Sequence, residues 1–465
     1  LNKVMLKHFN QSEFVRRISV CTISILLLFF GFFSNDWHVA EQQWFLDYQH
    51  STESLIVGRM VKSRQDGIFS GGGLNGAGIS NDLSQHWITL KQVHDQYSAY
   101  LTGITFREYS PYMSQTGGQG MFFSLLDSLI PLSPQAKLKL FYMLTSLLSA
   151  IALTLVILWF YCEFGLGVAI FVACSMVLSQ WLTVFGRNLW WGLWAFYLPM
   201  TAVMYFLRYR RTPASRHFIT FGALVFISVF VKCIVNGFEY ITTTLIMMVV
   251  PLVYYSILDR VRIRQFLKGI LAAMLGSFLA VLLSLMILSF QIISVKGSMS
   301  AAFEHIVFSL MKRTHGNASD FPDIYTASQT AGTIEVVITY LRGTFFDVNN
   351  YLTTSSPFVS RFLFEIRYLY LIVLFLVMSI FVFYRRNNNI STKQRQRSIA
   401  LIFATCFSIL APLSWYVIFK SHSFIHPHMN YILWQMPFTF FGFAVCGLAA
   451  KSVFPDFTRL VRRRI

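Results

Sequence analysis

Charged residues are scarce in this 465-residue chain. Asp, Glu, Lys and Arg together make up only 12% of it, whereas 55% of the residues are apolar and 17% are aromatic. A soluble domain carries about twice that share of charge, so the composition excludes a soluble enzyme and a disordered chain. Only six cysteines occur, all in or beside apolar runs, which also excludes a disulfide scaffold. We interpret the chain as a polytopic membrane protein with the bilayer as its solvent.

Motifs for nucleotide binding are missing as well. The chain contains no GxxxxGK(S/T) motif, no CxxC motif and no internal repeat. The glycine-rich run 71–78 lacks the strand and the helix that flank a dinucleotide site, so we interpret it as a flexible loop.

About ten apolar runs are long enough to cross a bilayer. They occupy residues 18–34, 138–162, 167–185, 190–207, 218–240, 241–257, 269–295, 366–384, 399–419 and 431–450. The sequence therefore predicts an all-α integral membrane protein in which residues 1–465 form a single polytopic domain. Most of its polar mass lies in two long connections, 35–137 and 296–365.

Basic residues are unevenly distributed over the connections. Of the 38 lysines and arginines, 22 lie in the two termini and in the connections after the fourth, sixth and eighth runs. Together with the turn at Glu163, these segments contain only four acids, so they account for the whole net charge of +18. The positive-inside rule places them, and both termini, in the cytoplasm. The basic excess then reflects topology and contact with anionic lipids, and no nucleic-acid partner is expected.

The two long connections are therefore predicted outside the cytoplasm, where no nucleotide donor is available. Chemistry there needs a donor that arrives in the membrane, such as a lipid-linked group. The first outer connection begins with the acid Asp36, and its residues 55–62 have an amphipathic pattern that predicts a helix on the membrane surface. Further charged residues lie on or just after this helix: Arg59, Lys62, Arg64 and Asp66.

Two short outer turns are also polar. Arg187 and Asn188 lie between the third and fourth runs, while Lys232, Asn236 and Glu239 recur at i, i+4 and i+7 and so share one helical face. A lysine in the hydrocarbon region is costly unless it is paired or faces a wet cavity. A structural pair of Lys232 with Glu239 and a functional cavity both fit this pattern.

The last outer turn carries three histidines in seven residues, His422, His426 and His428. Pro427 interrupts the helix on which the first two would share a face, so hydrogen bonding to a phosphate or a sugar is favoured over metal ligation. An ion-coupled transporter would place acids near the membrane midplane, and the apolar runs show none there. The polar groups instead collect at one interface, which favours catalysis on a lipid headgroup.

This arrangement resembles the GT-C superfamily of polytopic membrane glycosyltransferases. The likeness lies in the many apolar runs, in the long first outer connection with Asp36 directly after the first run, and in the polar outer turns. Stretches 59–67, 187–191, 236–240 and 422–430 look like subfamily signatures. The resemblance implies a polyprenyl-phosphate-linked sugar as donor and an active site facing the periplasm or lumen. It also implies that an acid of the first outer connection acts as base or orients the acceptor.

The implied chemistry assigns roles to candidate residues. Transfer to a hydroxyl needs a carboxylate that takes its proton, for which Asp36 is the first candidate and Asp66 the second. The leaving lipid phosphate needs cations and hydrogen-bond donors. The candidates for binding the donor phosphate are Arg59, Lys62, Arg64, Arg187 and Lys232. The candidates for binding the rest of the substrate are Asn188, Asn236, Glu239, His422, His426 and His428.

The expected partners are a lipid-linked sugar donor, a glycan or lipid acceptor, and membrane lipids. Members of the superfamily differ in whether they hold a divalent cation, so Mg²⁺ or Mn²⁺ stays open as the only cofactor. The expected location is the inner membrane of a bacterium. Three alternatives remain: an O-antigen-type glycan polymerase or ligase, a flippase of lipid-linked sugars, and an acyltransferase with His422 or His426 as base.

Overall fold

Helices account for most of the protein, as the long apolar runs predict. A computed structural model describes residues 11–79, 90–210, 217–347, 365–385 and 391–453. In chain order the helices of these residues are α1 Gln11–Ser34, α2 Gln42–Asp47, α3 His50–Asp66, α4 Leu90–Thr102, α5 Gly118–Leu129, α6 Pro134–Phe164, α7 Leu166–Val177, α8 Gln180–Gly186, α9 Leu193–Arg210, α10 Phe218–Asn236, α11 Ile241–Leu258, α12 Ile263–Lys296, α13 Met299–Arg313, α14 Thr326–Thr330, α15 Thr333–Leu341, α16 Tyr368–Tyr384, α17 Thr392–Ser408, α18 Leu410–Ile418, α19 Lys420–Ile425, α20 Pro427–Asn430 and α21 Phe438–Val453. Short 3₁₀ turns lie at Ser70–Gly73, Ala318–Asp320, Asp323–Tyr325 and Tyr431–Gln435.

Two small antiparallel sheets join parts of the long connections. The strand pairs are β1 Gly76–Ile79 with β2 Glu108–Pro111, and β3 Thr344–Asp347 with β4 Glu365–Arg367. In the first sheet Gly76 lies opposite Pro111. In the second sheet the register shifts between Thr344 and Phe346. Each sheet therefore closes a short piece of an outer connection and leaves the helices to form the core.

Six of the described helices are long and apolar enough to cross a membrane. They are α1, α6, α10, α11, α12 and the continuous pair of α17 and α18. Two further pairs, α7 with α8 and Pro427–Gln435 with α21, are bent by 67° and 42°, and counting each as one span raises the number to eight. Each of the ten predicted runs overlaps at least one helix, so the prediction of a helical membrane protein is confirmed. Ten crossings stay a prediction, because α9 and α16 are not among these eight.

The helix predicted on the membrane surface is present, but it lies inside the protein. Residues 55–62 belong to α3, in which every residue from Ile56 to Val61 is buried, because α3 packs against α4, α5 and β1. The prediction of a helix is right and its position on the surface is wrong. The polar residue that suggested a wet face, Arg59, is satisfied by protein carbonyl groups instead of water.

Aromatic rings fill the centre of the bundle. Trp159 and Phe160 of α6 contact Phe441 of α21 at ring-centroid distances of 6.0 and 5.1 Å, and Trp159 lies 5.1 Å from Tyr254 of α11. Edge-to-face and tilted contacts of this kind each add about 0.5–1.5 kcal/mol to the burial of the rings. This aromatic packing joins α6, α11 and α21.

A buried carboxylate, Glu163, joins four helices at one end of the bundle. Arg208 pairs with it, and the hydroxyls of Tyr254 and Tyr255 donate to its two oxygens at 3.2 and 3.1 Å. The Nε of Arg397 lies 3.8 Å from Oε2. A buried charge is stable only when it is paired and hydrogen-bonded. The network therefore holds α6, α9, α11 and α17 together where the basic connections meet.

Gly58 in α3 offers a test of the packing of the first outer connection. A Cβ at this position would lie 2.3 Å from the carbonyl oxygen of Gly76 and 2.8 Å from the amide oxygen of Gln96. Alanine is normally better than glycine inside a helix by about 1 kcal/mol, but the clash should reverse the sign and cost about 1–3 kcal/mol. We expect Gly58→Ala to lower the midpoint of thermal unfolding of the purified protein.

The matched control is Gly167→Ala in α7, because a Cβ there meets no atom within 4 Å. This variant should keep or raise the unfolding midpoint. Equal midpoints for the two variants would contradict the close packing of α3 against β1.

Candidate functional site

Glu239 is a buried carboxylate at the end of the bundle opposite the basic connections. It lies in the turn between α10 and α11 and is only 6% exposed. Its Oε1 is 3.2 Å from Nη2 of Arg313, and its Oε2 is 3.7 Å from Nε2 of His422. Arg313 also donates to the hydroxyl of Tyr112 at 2.9 Å. We call Tyr112, Glu239, Arg313, His422 and the neighbouring His426 the Glu239 cluster.

Lys232 holds the turn that carries Glu239. The chain reverses between α10 and α11 through Gly237 at φ 57° and Tyr240 at φ 53°, and the left-handed region suits glycine in particular. The ammonium of Lys232 is fully buried and donates to the carbonyl oxygens of Gly237 at 2.9 Å and of Glu239 at 2.5 Å. Lys232 therefore bonds to the main chain of Glu239, and the carboxylate is left to face Arg313 and the histidines.

Hydrogen bonds anchor α19 to the second outer connection. The hydroxyl of Ser421 donates to the carbonyl of Thr314, and the ammonium of Lys420 donates to that of Gln329, each at 2.7 Å. The side-chain amide of Gln329 donates to the carbonyl of Lys312 at 2.8 Å. Residues 312–314 are thereby fixed against α19, so the arginine and the histidines of the cluster approach the carboxylate from two sides.

Three histidines form a line from the cluster to the surface. His422 is 5% exposed, His426 is partly buried and His428 is exposed, and successive ring centroids lie 4.5 and 5.4 Å apart. Burial lowers the pKa of His422 well below its usual range, and the charges of Arg313 and Lys312 lower it further. Burial also lowers the pKa of His426 to about 2. Both imidazoles are therefore neutral at neutral pH, and each carries one donor and one acceptor nitrogen.

Several buried polar atoms in and around the cluster have no hydrogen-bond partner among the described residues. They are Glu239 Oε2, His422 Nδ1, His426 Nδ1, Asn430 Nδ2, Asn236 Oδ1 and both amide atoms of Gln115. An unpartnered buried polar group costs about 1–3 kcal/mol, and such groups are few in native proteins and occur at functional sites. These atoms mark the outer end of α10 and the neighbouring turns as a candidate substrate site.

The two oxygens of the Glu239 carboxylate have different surroundings. Oε1 is paired with Arg313. Oε2 keeps its lone pairs free to accept a hydrogen bond or a proton from a hydroxyl group. The neutral histidines can donate hydrogen bonds to an anion or a sugar. The cluster is therefore suited to taking a proton from a bound hydroxyl.

The two carboxylates predicted as bases lie apart from this cluster. Asp36 is exposed in the turn after α1, and within the described part of the chain it forms no hydrogen bond or ion pair. Asp66 lies at the end of α3, where its carboxylate is 2.5 Å from the ammonium of Lys62. No contact in the described residues joins either acid to the Glu239 cluster.

Arg59, a predicted phosphate ligand, is instead a structural residue. It is fully buried, and its guanidinium donates to four main-chain carbonyl groups of the following loop. These carbonyls belong to Gly67, Ile68, Ser70 and Leu74, at 3.0, 2.6, 2.5 and 3.4 Å. The glycine-rich stretch interpreted as a flexible loop is thus tied to α3 by one side chain.

The other predicted phosphate ligands also have protein partners. Arg64 forms a bidentate pair with Asp127 at 2.6 and 2.8 Å, and Arg187 lies 4.4 Å from the ring centroid of Tyr142. Lys62 is paired within α3, and Lys232 is bonded to the turn before α11. The structure therefore does not bring these five cations together into one phosphate site.

The two predicted asparagines shape the polar turns. The Oδ1 of Asn188 accepts hydrogen bonds from the main-chain N–H groups of Trp190 and Trp191 at 3.0 and 3.3 Å, and its amide donates to the carbonyl of Tyr48 at 3.1 Å. Asn236 donates to the carbonyl of Trp191. Asn236 therefore links the turn after α8 to the end of α10, close to the Glu239 cluster.

The sequence analysis missed a second buried carboxylate on this side, Glu53 of α3. Its Oε1 accepts from the hydroxyls of Tyr97 at 2.7 Å and Tyr142 at 2.6 Å, and its Oε2 accepts from the N–H of Leu189 at 2.9 Å. The only signal was an acid two residues before the apolar run 55–57. Its tyrosine partners lie 44 and 89 residues away in the sequence, so their approach depends on the fold.

The side chains of the described ranges do not form a metal site. They contain no group of three or more His, Cys, Asp or Glu side chains that could hold a metal ion. The expectation of Mg²⁺ or Mn²⁺ therefore stays without assigned ligands.

Comparisons with known proteins add no relative. No protein-family model, no curated protein and no solved structure matches the chain. The resemblance to the GT-C superfamily therefore rests on the layout of the sequence.

Lys232→Met should impair the site far more than Lys62→Met. The first change removes two charge-assisted hydrogen bonds to the Glu239 turn, each worth about 1.5–3 kcal/mol. The second removes a partly exposed pair within one helix, worth about 0–1 kcal/mol. We expect a clear fall in the thermal unfolding midpoint for Lys232→Met and almost none for Lys62→Met. Similar midpoints for both variants would show that Lys232 does not hold the turn.

The buried His426 predicts a loss of stability in acid. Its pKa is about 2 in the folded protein and about 6.5 in an unfolded chain. As the pH falls from about 6.5 towards about 2, the unfolded chain binds a proton that the folded chain does not, so the free energy of unfolding decreases. We expect the unfolding midpoint of the native protein to fall between about pH 7 and pH 5.

His426→Asn should show a smaller fall over the same pH range, because it removes the titrating group. His94→Asn changes an exposed histidine of α4 and should keep the native pH dependence. An unchanged pH dependence in His426→Asn would contradict the burial of this imidazole.

Proposed function

We propose that the protein is a membrane glycosyltransferase of the GT-C type, which transfers a sugar from a polyprenyl-phosphate-linked donor to an acceptor hydroxyl on the extracytoplasmic face. The observation that carries this proposal is Glu239 Oε2, a buried carboxylate oxygen without a hydrogen-bond partner among the described residues. The proposal includes ten membrane crossings, a bacterial inner membrane and both termini in the cytoplasm, and the charge distribution supports this orientation of the termini.

In the proposed reaction, Glu239 is the base. It takes the proton of the acceptor hydroxyl while the acceptor oxygen forms a bond to the anomeric carbon of the sugar. The bond from that carbon to the phosphate oxygen breaks, and the lipid phosphate leaves with the electron pair. A single displacement of this kind inverts the anomeric configuration. Because a phosphate is a weakly basic leaving group, no strong general acid is needed.

The leaving phosphate requires positive charge, which Lys312 next to the cluster can supply. Its ammonium lies 4.9 Å from the ring centroid of Tyr325 and 5.7 Å from that of Phe308, and within the described ranges no carboxylate pairs with it. Burial lowers its pKa to about 8, and a bound phosphate would favour the charged form. We assign Lys312 and the exposed His428 to the phosphate, in place of the dispersed cations of the first outer connection.

Glu239→Gln should abolish most of the activity, because it keeps the shape of the side chain and removes the proton acceptor. The rate of sugar transfer should fall by about 10²–10⁴-fold. The measurement supplies radiolabelled polyprenyl-phosphate sugars to membranes that contain the protein and counts the label in the product. Binding of the donor lipid should persist, since the base contacts the acceptor.

Asp36→Asn is the matched control, because it makes the equivalent change at an exposed carboxylate, and Asp66→Asn is tested in parallel. Both should keep near-normal rates. If Asp36→Asn or Asp66→Asn loses its transfer activity while Glu239→Gln keeps a normal rate, the base belongs to the first outer connection and not to Glu239. If native membranes form no labelled product, the transferase proposal fails, and transbilayer movement of the labelled lipid would then favour a flippase.

A further inference from the structure

A cleft of about 530 Å³ opens at the end of the bundle that carries the basic connections. Its lining includes three cationic side chains, Arg260, Lys393 and Arg397, and a single carboxylate, Asp259. The cleft is therefore positively charged overall. The proposed chemistry at Glu239 does not use it, because Glu239 lies at the opposite end of the bundle.

The cleft lies where two spans end. Leu258, which lines it, is the last residue of α11, and Thr392, which also lines it, is the first residue of α17. The first N–H groups of a helix have no partner within the helix and favour a negative charge. A ligand in this cleft would sit at the level where a membrane span meets its connection, which is the level of lipid headgroups.

Two contacts give the cleft a fixed shape. The side-chain amide of Gln396 donates to the carbonyl of Ile257 at 2.7 Å, which joins α17 to the end of α11. Arg397 lies 3.8 Å from the carboxylate of Glu163, and its Nε has no hydrogen-bond partner among the described residues. That Nε faces Glu163, so the guanidinium of Arg397 is held at the wall of the cleft. Guanidinium groups match the geometry of phosphate oxygens.

We propose that this cleft binds a phosphate group, supplied either by the headgroup of an anionic lipid or by a free phosphate. The three cationic side chains that line the cleft, the helix N-terminus and the fixed position of the Arg397 guanidinium all favour an anion with several oxygens. The position at the membrane edge favours the lipid, whose acyl chains would lie along the apolar end of α11. The site is independent of the proposed transferase activity, so it stands or falls by its own test.

The test measures binding to the purified full-length protein in a neutral detergent by native mass spectrometry. The probes are dioctanoyl phosphatidic acid, inorganic phosphate and, as a chain control without phosphate, dioctanoylglycerol. The test variant is Arg260→Gln with Lys393→Gln, since Arg397 also pairs with Glu163 and its loss would disturb the fold. We expect phosphatidic acid to bind at least tenfold more weakly to this double variant, and dioctanoylglycerol to show no difference.

Arg395→Gln is the matched control, because it removes one positive charge from an exposed position of the same helix that does not line the cleft. It should bind phosphatidic acid like the native protein. Tighter binding of phosphatidic acid than of inorganic phosphate would identify a lipid headgroup, and equal binding of the two would identify a free phosphate. If the double variant had a lowered unfolding midpoint, Lys393→Gln alone would replace it. The proposal would be overturned if the folded variant bound phosphatidic acid as tightly as the native protein does. It would also be overturned if Arg395→Gln lost as much affinity for phosphatidic acid as the test variant.

Discussion

The burial of the Glu239 carboxylate beside Arg313 is the constraint on which the outer half of the structure depends. An isolated charge in a low-dielectric interior is penalised by several kcal/mol, so the two groups must meet although one precedes α11 and the other ends α13. Lys232 fixes the turn that carries the carboxylate, and Ser421 fixes the main chain next to the arginine. The long second outer connection is held over the ends of the helices by these contacts.

Within the described ranges, buried acids join distant parts of the chain in four places, and their partners distinguish their roles. Glu53, Asp127 and Glu163 accept hydrogen bonds or ion pairs on both oxygens, and each links several helices. Glu239 differs, because its Oε2 has no hydrogen-bond partner among the described residues. A fully satisfied carboxylate has little capacity left for a substrate, whereas a half-satisfied one can accept a proton. This difference separates the three structural acids from the candidate base.

The two ends of the bundle differ in their electrostatics. At one end the Glu163 network and the adjoining cleft carry an excess of arginine and lysine, as the charge distribution of the sequence predicts. At the other end the carboxylate of Glu239 pairs with Arg313 and lies beside neutral histidines. The apolar and aromatic packing between the ends separates them. The proposed sugar transfer at one end and the proposed phosphate binding at the other therefore share no residues.

The sequence predicted the helices well, because an apolar run of span length has few alternatives to a helix in a membrane. It also pointed to the turns around Glu239 and His422, since polar residues at the ends of apolar runs are conspicuous. It did not show which side chains have partners. In the sequence Arg59 looks like a free cation, yet in the structure it bonds to loop carbonyls. Tyr112 and Arg313 were not among the predicted site residues, because their contact with Glu239 depends on long-range packing.

The same limit explains why Asp36 was the first candidate for the base. Its place directly after the first apolar run is visible in the sequence, but its exposure is a property of the folded chain. The spacing of Glu239 predicts a helical face shared with Lys232 and Asn236, and this prediction is wrong, because α10 ends at Asn236 and Glu239 lies in the following turn. Only the structure shows that its carboxylate turns away from Lys232 and towards Arg313. Proximity in the sequence therefore indicated which polar residues lie near one another, but the end of the helix and the partners of individual charges could not be predicted from it.

The most direct test of Glu239 as the base uses azide with Glu239→Gln, whose amide oxygen can still accept a hydrogen bond from Arg313. Azide is a nucleophile that needs no deprotonation, so it can replace the acceptor hydroxyl when the base is missing. If Glu239 takes the acceptor's proton, the variant should transfer sugar poorly to its normal acceptor and should form a glycosyl azide from the polyprenyl-phosphate donor when azide is added. Normal transfer to the acceptor by this variant, without any glycosyl azide, would contradict the assignment of Glu239 as the base.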